Sequence, residues 1–199
     1  MAELGILGRG PLALARLRMT ICTPRYSAVV SDPTTRPLLF LDIDGTLLPF
    51  GEAQFPSSFE ELDLWQHPSN PQLANLLREH GPRLLAMPCE LVWATAWMDN
   101  ANTVIAPLLG LPALPVVDLP DVAGGTGVLH RKTAALVAIA KGRAFVWVDD
   151  EIAERDSDWV SRHHPGRALL YRVDADRGLT DADLSFIENW LRELDPKDR

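Results

Sequence analysis

Five short apolar runs constrain this chain more than any other feature: Leu38-Leu39-Phe40-Leu41, Leu91-Val92-Trp93, Leu114-Pro115-Val116-Val117, Ala144-Phe145-Val146-Trp147-Val148 and Ala168-Leu169-Leu170-Tyr171. A strand with one wet face alternates apolar and polar residues, so near-continuous apolar runs of this length suit strands buried on both faces, as in a parallel sheet. Helical patterns separate them. Asn70-Pro71 supplies a cap and a first-turn proline, with Leu73, Leu76 and Leu77 on one face and Gly81 as the expected stop. Helices are also expected over Met98–Leu109, Lys132–Ala140, closed by Gly142, and Ile152–His163. Thr180-Asp181-Ala182-Asp183 reads as a capping box for a last helix with Leu184, Ile187, Trp190, Leu191 and Leu194 inward. Alternating strands and helices predict a doubly wound α/β fold around a mostly parallel five-stranded sheet.

The chain divides in two. Residues 1–36 carry five Arg against Glu3 and Asp32, a balance of +3, and Asp32-Pro33-Thr34-Thr35-Arg36-Pro37 reads as a linker. They are expected to form a flexible basic tail, within which Met19 offers a second start, ahead of an α/β domain over 37–199. That domain carries 14 basic against 25 acidic side chains, or −11. An acidic body argues against generic nucleic-acid binding, whose affinity comes mostly from neutralised phosphates. Two cysteines, Cys22 and Cys89, exclude a disulfide scaffold, and Arg9, Arg16 and Arg18 break the apolar N-terminal stretch that a signal peptide would need. With no run long enough to span a bilayer, the expectation is a cytoplasmic protein without a membrane partner. Nothing in the sequence sets the oligomeric state.

In doubly wound sheets the ligand sits beyond the carboxyl ends of the strands. The polar residues that follow each apolar run are therefore the candidates. The first run is followed by Asp42-Ile43-Asp44-Gly45-Thr46, two carboxylates at i and i+2 that extended backbone points to one side. Like charges so close repel unless a cation compensates them. An EF-hand would open similarly, but its twelfth position is Ala53 rather than Glu. Thr95 follows the second run. Lys132 opens a helix, where an ammonium is disfavoured by the dipole and so hints at a nearby anion. Asp149-Asp150-Glu151 follows the fourth run.

Taken in order, these residues resemble the haloacid dehalogenase (HAD) superfamily: strand then Asp-x-Asp-x-Thr, strand then Thr or Ser, a helix-borne Lys, and strand then paired acids. The likeness spans Leu38 to Tyr171, and Asp42-Ile43-Asp44-Gly45-Thr46 matches the first motif in full. Val92-Trp93-Ala94-Thr95-Ala96-Trp97 and Val146-Trp147-Val148-Asp149-Asp150-Glu151 further resemble a small group of HAD domains related to those of multidomain Swiss Army Knife RNA repair proteins. The resemblance implies a phosphomonoester hydrolase. Asp42 would be the nucleophile, Asp44 the acid and base, and Thr95 and Lys132 the phosphoryl ligands. Mg²⁺ would bind the Asp42 carboxylate, the Asp44 backbone carbonyl and Asp149, with Asp150 beside or instead of Asp149. Retention of Asp44 points to a phosphatase, since HAD ion pumps carry Thr there and dehalogenases lack the acid. The expected substrate is a phosphorylated small molecule. Nucleic-acid end processing and binding of a phosphorylated partner without turnover are the alternatives.

The stretch 47–69 has room for a minimal cap or flap. It contains Phe50, Phe55, Phe59 and Trp65, with Glu52, Glu60, Glu61 and Asp63 and no Lys or Arg. Those rings could stack on a base or pack the flap onto the body, and burial statistics favour packing. Gly124-Gly125-Thr126-Gly127 fits neither phosphate-loop nor dinucleotide spacing. His130, His163 and His164 lack standard zinc spacing, and Cys89 is expected to pack rather than react.

Overall fold

The computed structural model describes residues 36–51, 56–119 and 129–194. Residues 1–35 of the expected tail, Glu52 and Phe55 of the expected flap, and Gly124–Gly127 lie outside the described residues. Four parallel strands, β1 (Leu38–Leu41), β2 (Glu90–Trp93), β3 (Phe145–Asp149) and β4 (Ala168–Arg172), form one sheet in the order β2-β1-β3-β4. The helices are α1 (Phe59–Trp65), α2 (His80–Ala86), α3 (Ala106–Leu109), α4 (Thr133–Ala140), α5 (Glu154–His163) and α6 (Asp181–Arg192).

All four residues of β1 are fully buried, and they alternate between two cores. Leu39 and Leu41 join Trp93, Val146 and Val148 under α2, α3 and α6. Leu38 and Phe40 join Val92, Phe145 and Trp147 under α4 and α5. Helices on both faces explain why the strands read as unbroken apolar runs. Phe40 and Phe145 meet edge to face at 5.6 Å across the β1–β3 pair, the geometry that ring quadrupoles favour.

The expected fifth strand is absent. Leu114–Val117 makes one isolated bridge, Val116 to Trp93, through Trp93 N donating to Pro115 O and Val117 N donating to Trp93 O. Pro112 and Pro115 have no N–H to give, so the ladder cannot extend, although Leu114, Val116 and Val117 remain buried.

Two helix expectations also change. Asn70 caps as expected, its Oδ1 accepting from Gln72 N at 2.9 Å, but only a 3-10 turn over Pro71–Asn75 follows. Gly81 lies inside α2 rather than ending a helix. A Cβ there would sit 1.7 Å from the Leu109 carbonyl, so this glycine permits close approach of two segments. The expected helix over Met98–Leu109 divides into a π turn, Ala101–Ile105, and the single-turn α3, after Met98 takes a left-handed conformation (φ 47°). The remaining helices run close to expectation. Thr180 Oγ1 accepts from Asp183 N while Asp183 Oδ2 accepts from Thr180 N, completing the capping box of α6.

Among the described residues no helix is long and apolar enough to cross a membrane. Arg36, the last residue of the expected tail, donates to Cys89 O, and its own carbonyl accepts from Arg143.

Candidate active site

The strand order places a switch point between β1 and β3. From β1 the chain first passes to β2, then returns across the sheet to β3. Connections therefore leave that pair in opposite directions and open a crevice at the carboxyl ends. Register pairs Leu41 with Val148, and Asp42 N donates to Val148 O at 3.1 Å. Asp42, one step past β1, thereby neighbours Asp149, the last residue of β3. Oxygens of Asp42, Asp149 and Asp150 all lie within 4.8 Å of one another.

Lys132 stands at the start of α4, and its side chain is buried between the two strand-end acids. Its Nζ donates to Asp42 Oδ1 at 2.9 Å and to Asp149 Oδ2 at 2.6 Å. Burial alone would push this ammonium's pKa down, but Asp42 and Asp149 more than offset it and hold the pKa above its ordinary value. Asp149 is fully buried. Its Oδ2 also accepts from Trp147 Nε1 at 3.1 Å, and its Oδ1 accepts from Glu151 N at 2.9 Å. Among the described residues, Lys132 is the cation paired with Asp42 and Asp149, and Asp44 and Asp150 stand close by. Burial raises the Asp42 carboxyl well above the ordinary range; Lys132 opposes that rise, and Asp149 and Asp44 add to it. Burial, then the Asp149 charge, lifts Asp150 to about 6. Burial comes first in both shifts, and repulsion between neighbouring carboxylates adds to it. Three carboxylates that close together, offering only oxygen, fit a hard divalent cation such as Mg²⁺.

Asp44 is held differently. Its Oδ1 accepts two hydrogen bonds at 2.8 Å, from Trp65 Nε1 and from Trp97 Nε1. Burial raises its pKa, and the two indole donors and Lys132 oppose the rise. The acids stand on a tight turn in which Gly45 N donates to Leu48 O and Leu48 N donates to Ile43 O. Gly45 has φ +65°, and a Cβ there would lie 2.5 Å from the Asp150 carboxylate. The glycine therefore both makes the turn and lets Asp150 approach.

Thr95 is fully buried two residues past the end of β2, and its Oγ1 accepts from Trp97 N at 3.3 Å. That bond uses the oxygen as acceptor and leaves the hydroxyl hydrogen to donate. Asp42, Asp149, Asp150 and Lys132 come together around the switch point, with Asp44 on the adjoining turn and its indole pair beside it.

Of the rim aromatics, Trp65 is 8% exposed and belongs to the main core, and Phe50 packs beside it with ring centroids 6.1 Å apart. Packing, not base stacking, accounts for these two rings. His163 stacks on Trp159 and His164 bonds to Arg143 O, so neither joins His130 at a metal site. Burial pushes the Cys89 thiol up to about 12, which leaves it unreactive.

Sequence reasoning missed the roles of three indoles. Trp97, two residues beyond Thr95, lies inside a segment already singled out. Trp65 is 21 residues from Asp44 and carried no signal of its partner. Trp147 lies on β3 within the second segment singled out for its family resemblance, but its bond to Asp149 carried no signal. Also unforeseen was the pairing of His130 Nε2 with Glu151 Oε2 at 3.2 Å on the crevice edge.

A parallel sheet with paired acids and a buried ammonium at its switch point is the architecture of a HAD-type domain. Residues 38–184 match the family described as the HAD domain in Swiss Army Knife RNA repair proteins, and the chain belongs to that family. Membership supports a phosphatase-type hydrolase in general terms. Among solved structures, the HAD domain of effector protein Lem4 from Legionella pneumophila is similar at 14% identity and a TM-score of 0.44, covering 77% of this chain and 93% of that one. No curated protein matches the chain.

Proposed function

We propose that this chain is a Mg²⁺-dependent phosphomonoester hydrolase that works through an aspartyl-phosphate on Asp42. The observation that carries the reading is the convergence of the Asp42, Asp149 and Asp150 oxygens within 4.8 Å of one another, with Lys132 bridging two of them. Phosphoryl transfer asks a protein mainly for positioning and charge neutralisation, and this crevice is organised for both.

An Asp42 carboxylate oxygen attacks phosphorus and forms the new O–P bond. The leaving oxygen departs with the electrons of the broken P–O bond and takes a proton from Asp44. Water then attacks the phosphoenzyme and gives its proton to Asp44 as the Asp42 O–P bond breaks. Lys132 and the Thr95 hydroxyl supply positive charge and a donor for the phosphoryl oxygens. Asp42, Asp149 and Asp150 would hold Mg²⁺, which when bound neutralises their repulsion and the charge of the phosphoryl group.

The stretch 47–69 is read as a minimal flap, too short for a separate cap domain. The favoured substrate is a phosphorylated small molecule, because α1 brings Glu60, Glu61 and Asp63 with no basic residue. A second reading, removal of a terminal phosphate from RNA, is favoured by the family match. A panel of sugar phosphates, nucleotides and 3′- or 5′-phosphorylated oligonucleotides, assayed with Mg²⁺ for phosphate release, tests both. Turnover of the small esters supports the first reading and selective turnover of oligonucleotides the second. Release from no member of the panel overturns both.

A further inference from the structure

Asp44 shows an unequal use of its two oxygens. Oδ1 accepts both indole N–H groups at 2.8 Å. A carboxylate oxygen has two lone pairs in the carboxyl plane, so two donors saturate it and fix the rotation of the group. A proton carried by this side chain must therefore sit on Oδ2. Trp97 is 1% exposed and Trp65 8%, so water does not readily replace either donor. Both donors are neutral, whereas the acids at the strand ends share an ammonium. The two indoles come from separate places. Trp97 stands in the turn after β2, its backbone N–H donating to Thr95 Oγ1, while Trp65 ends α1 in the flap.

We propose that Trp65 and Trp97 are positioning residues for the acid–base step: their indole N–H groups hold Asp44 Oδ1 and so dedicate Oδ2 to proton exchange with the substrate's ester oxygen. This rests on the phosphatase reading above. It also gives the flap a function, since α1 delivers one of the two donors to the acid. The turn after β2 would serve twice, offering Thr95 to the phosphoryl group and Trp97 to the acid.

The test is to remove the donors while keeping the rings. Trp97→Phe and Trp65→Phe are the simple variants. Replacement of Trp97 by 3-benzothienylalanine, the isostere in which sulfur takes the place of N–H, guards against a fold lost with the indole's volume. Each is assayed with Mg²⁺ on an alkyl phosphate and on an aryl phosphate with a good leaving group. Loss of one hydrogen bond to a charged group is expected to lower kcat on the alkyl ester about 10–10²-fold. KM should stay within about twofold and the aryl ester should lose less, because a good leaving group needs less protonation. In an Asp44→Asn background, removing the indole donor should cost nothing further. Equal losses on both esters, or losses that add to Asp44→Asn, would overturn the positioning role and leave the indoles as packing. If Asp44→Asn itself spares alkyl phosphates, the acid–base role fails first, an outcome separate from failure of the indole pair.

Discussion

On the β1–β3 side of the crevice, Asp42 and Asp149 are buried against a single ammonium, at 2.9 and 2.6 Å from Lys132 Nζ. On the α1 side, two residues further along the same turn, Asp44 is buried against two neutral indole donors, each at 2.8 Å. In the first arrangement the ammonium opposes the rise that burial imposes on Asp42, in keeping with the nucleophile role proposed for it. The second orients the Asp44 carboxyl through uncharged donors, in keeping with the acid–base role proposed for it. Burial works against ionisation of Asp42 and Asp44 alike, so it is the chemistry of the donors that separates their roles.

Substituting the two acids in turn should give the largest effects. Asp42→Asn is expected to abolish turnover, since an amide is a poor nucleophile and a poor ligand. Asp44→Asn should keep the fold and slow hydrolysis of alkyl phosphates by about 10²–10⁴, the usual worth of a positioned general acid–base, with a smaller loss on aryl phosphates. Steady-state kinetics on both ester classes, with circular dichroism to verify folding, reads the difference. Equal losses on the two classes would erase the distinction drawn between the two sides.

Lys132→Met probes the charged side through stability. Removing one partner of a buried ionic cluster leaves uncompensated charge, at a cost of about 3–5 kcal/mol. Denaturant unfolding in chelator at neutral pH should show that loss. It should shrink on acidification, because Asp42, whose pKa burial already raises, can take a proton instead. Saturating Mg²⁺ should restore part of it, by about 2.7 kcal/mol at a hundred times Kd. A loss below about 1 kcal/mol in chelator would mean that the strand-end acids do not depend on the ammonium.

The same two sides differ in how far the sequence disclosed them. Asp42 and Asp149 were legible because each follows an apolar run directly, and Asp150 because it follows Asp149; a parallel sheet brings strand ends together whatever the loops do. Lys132 was legible from an ammonium placed at a helix start. The indole side was not. No periodicity ties Trp65 or Trp97 to Asp44, and a tryptophan among apolar residues reads as core, which both also are. The errors in the fold have a similar origin. Leu114–Val117 has a strand's composition, and only the missing N–H groups of Pro112 and Pro115 stop the ladder. Gly81 has the look of a helix stop, and only the Leu109 carbonyl packed against it shows why glycine stands there.

The smallest effect should come from Asp150, whose carboxyl is raised to about 6 by burial and by the Asp149 charge. A carboxyl whose folded pKa exceeds its ordinary 3.8 favours folding when protonated. Its contribution is therefore complete below that ordinary value, is lost as pH rises through about 6, and is a net penalty at neutral pH. Asp150→Asn removes the penalty. In chelator at pH 7 the variant should be more stable than the parent by about 1–2 kcal/mol, a figure discounted for the side chain's partial exposure. That advantage should fade as pH falls from 6 to 4. Saturating Mg²⁺ should reverse the order, because the parent keeps three carboxylates for the ion and the variant two. Thermal unfolding of both proteins, in chelator and in Mg²⁺ across that pH range, reads the crossing. If the curves stay parallel in both conditions, Asp150 senses neither the buried charge of Asp149 nor the ion, and the proposed metal site contracts to Asp42 and Asp149.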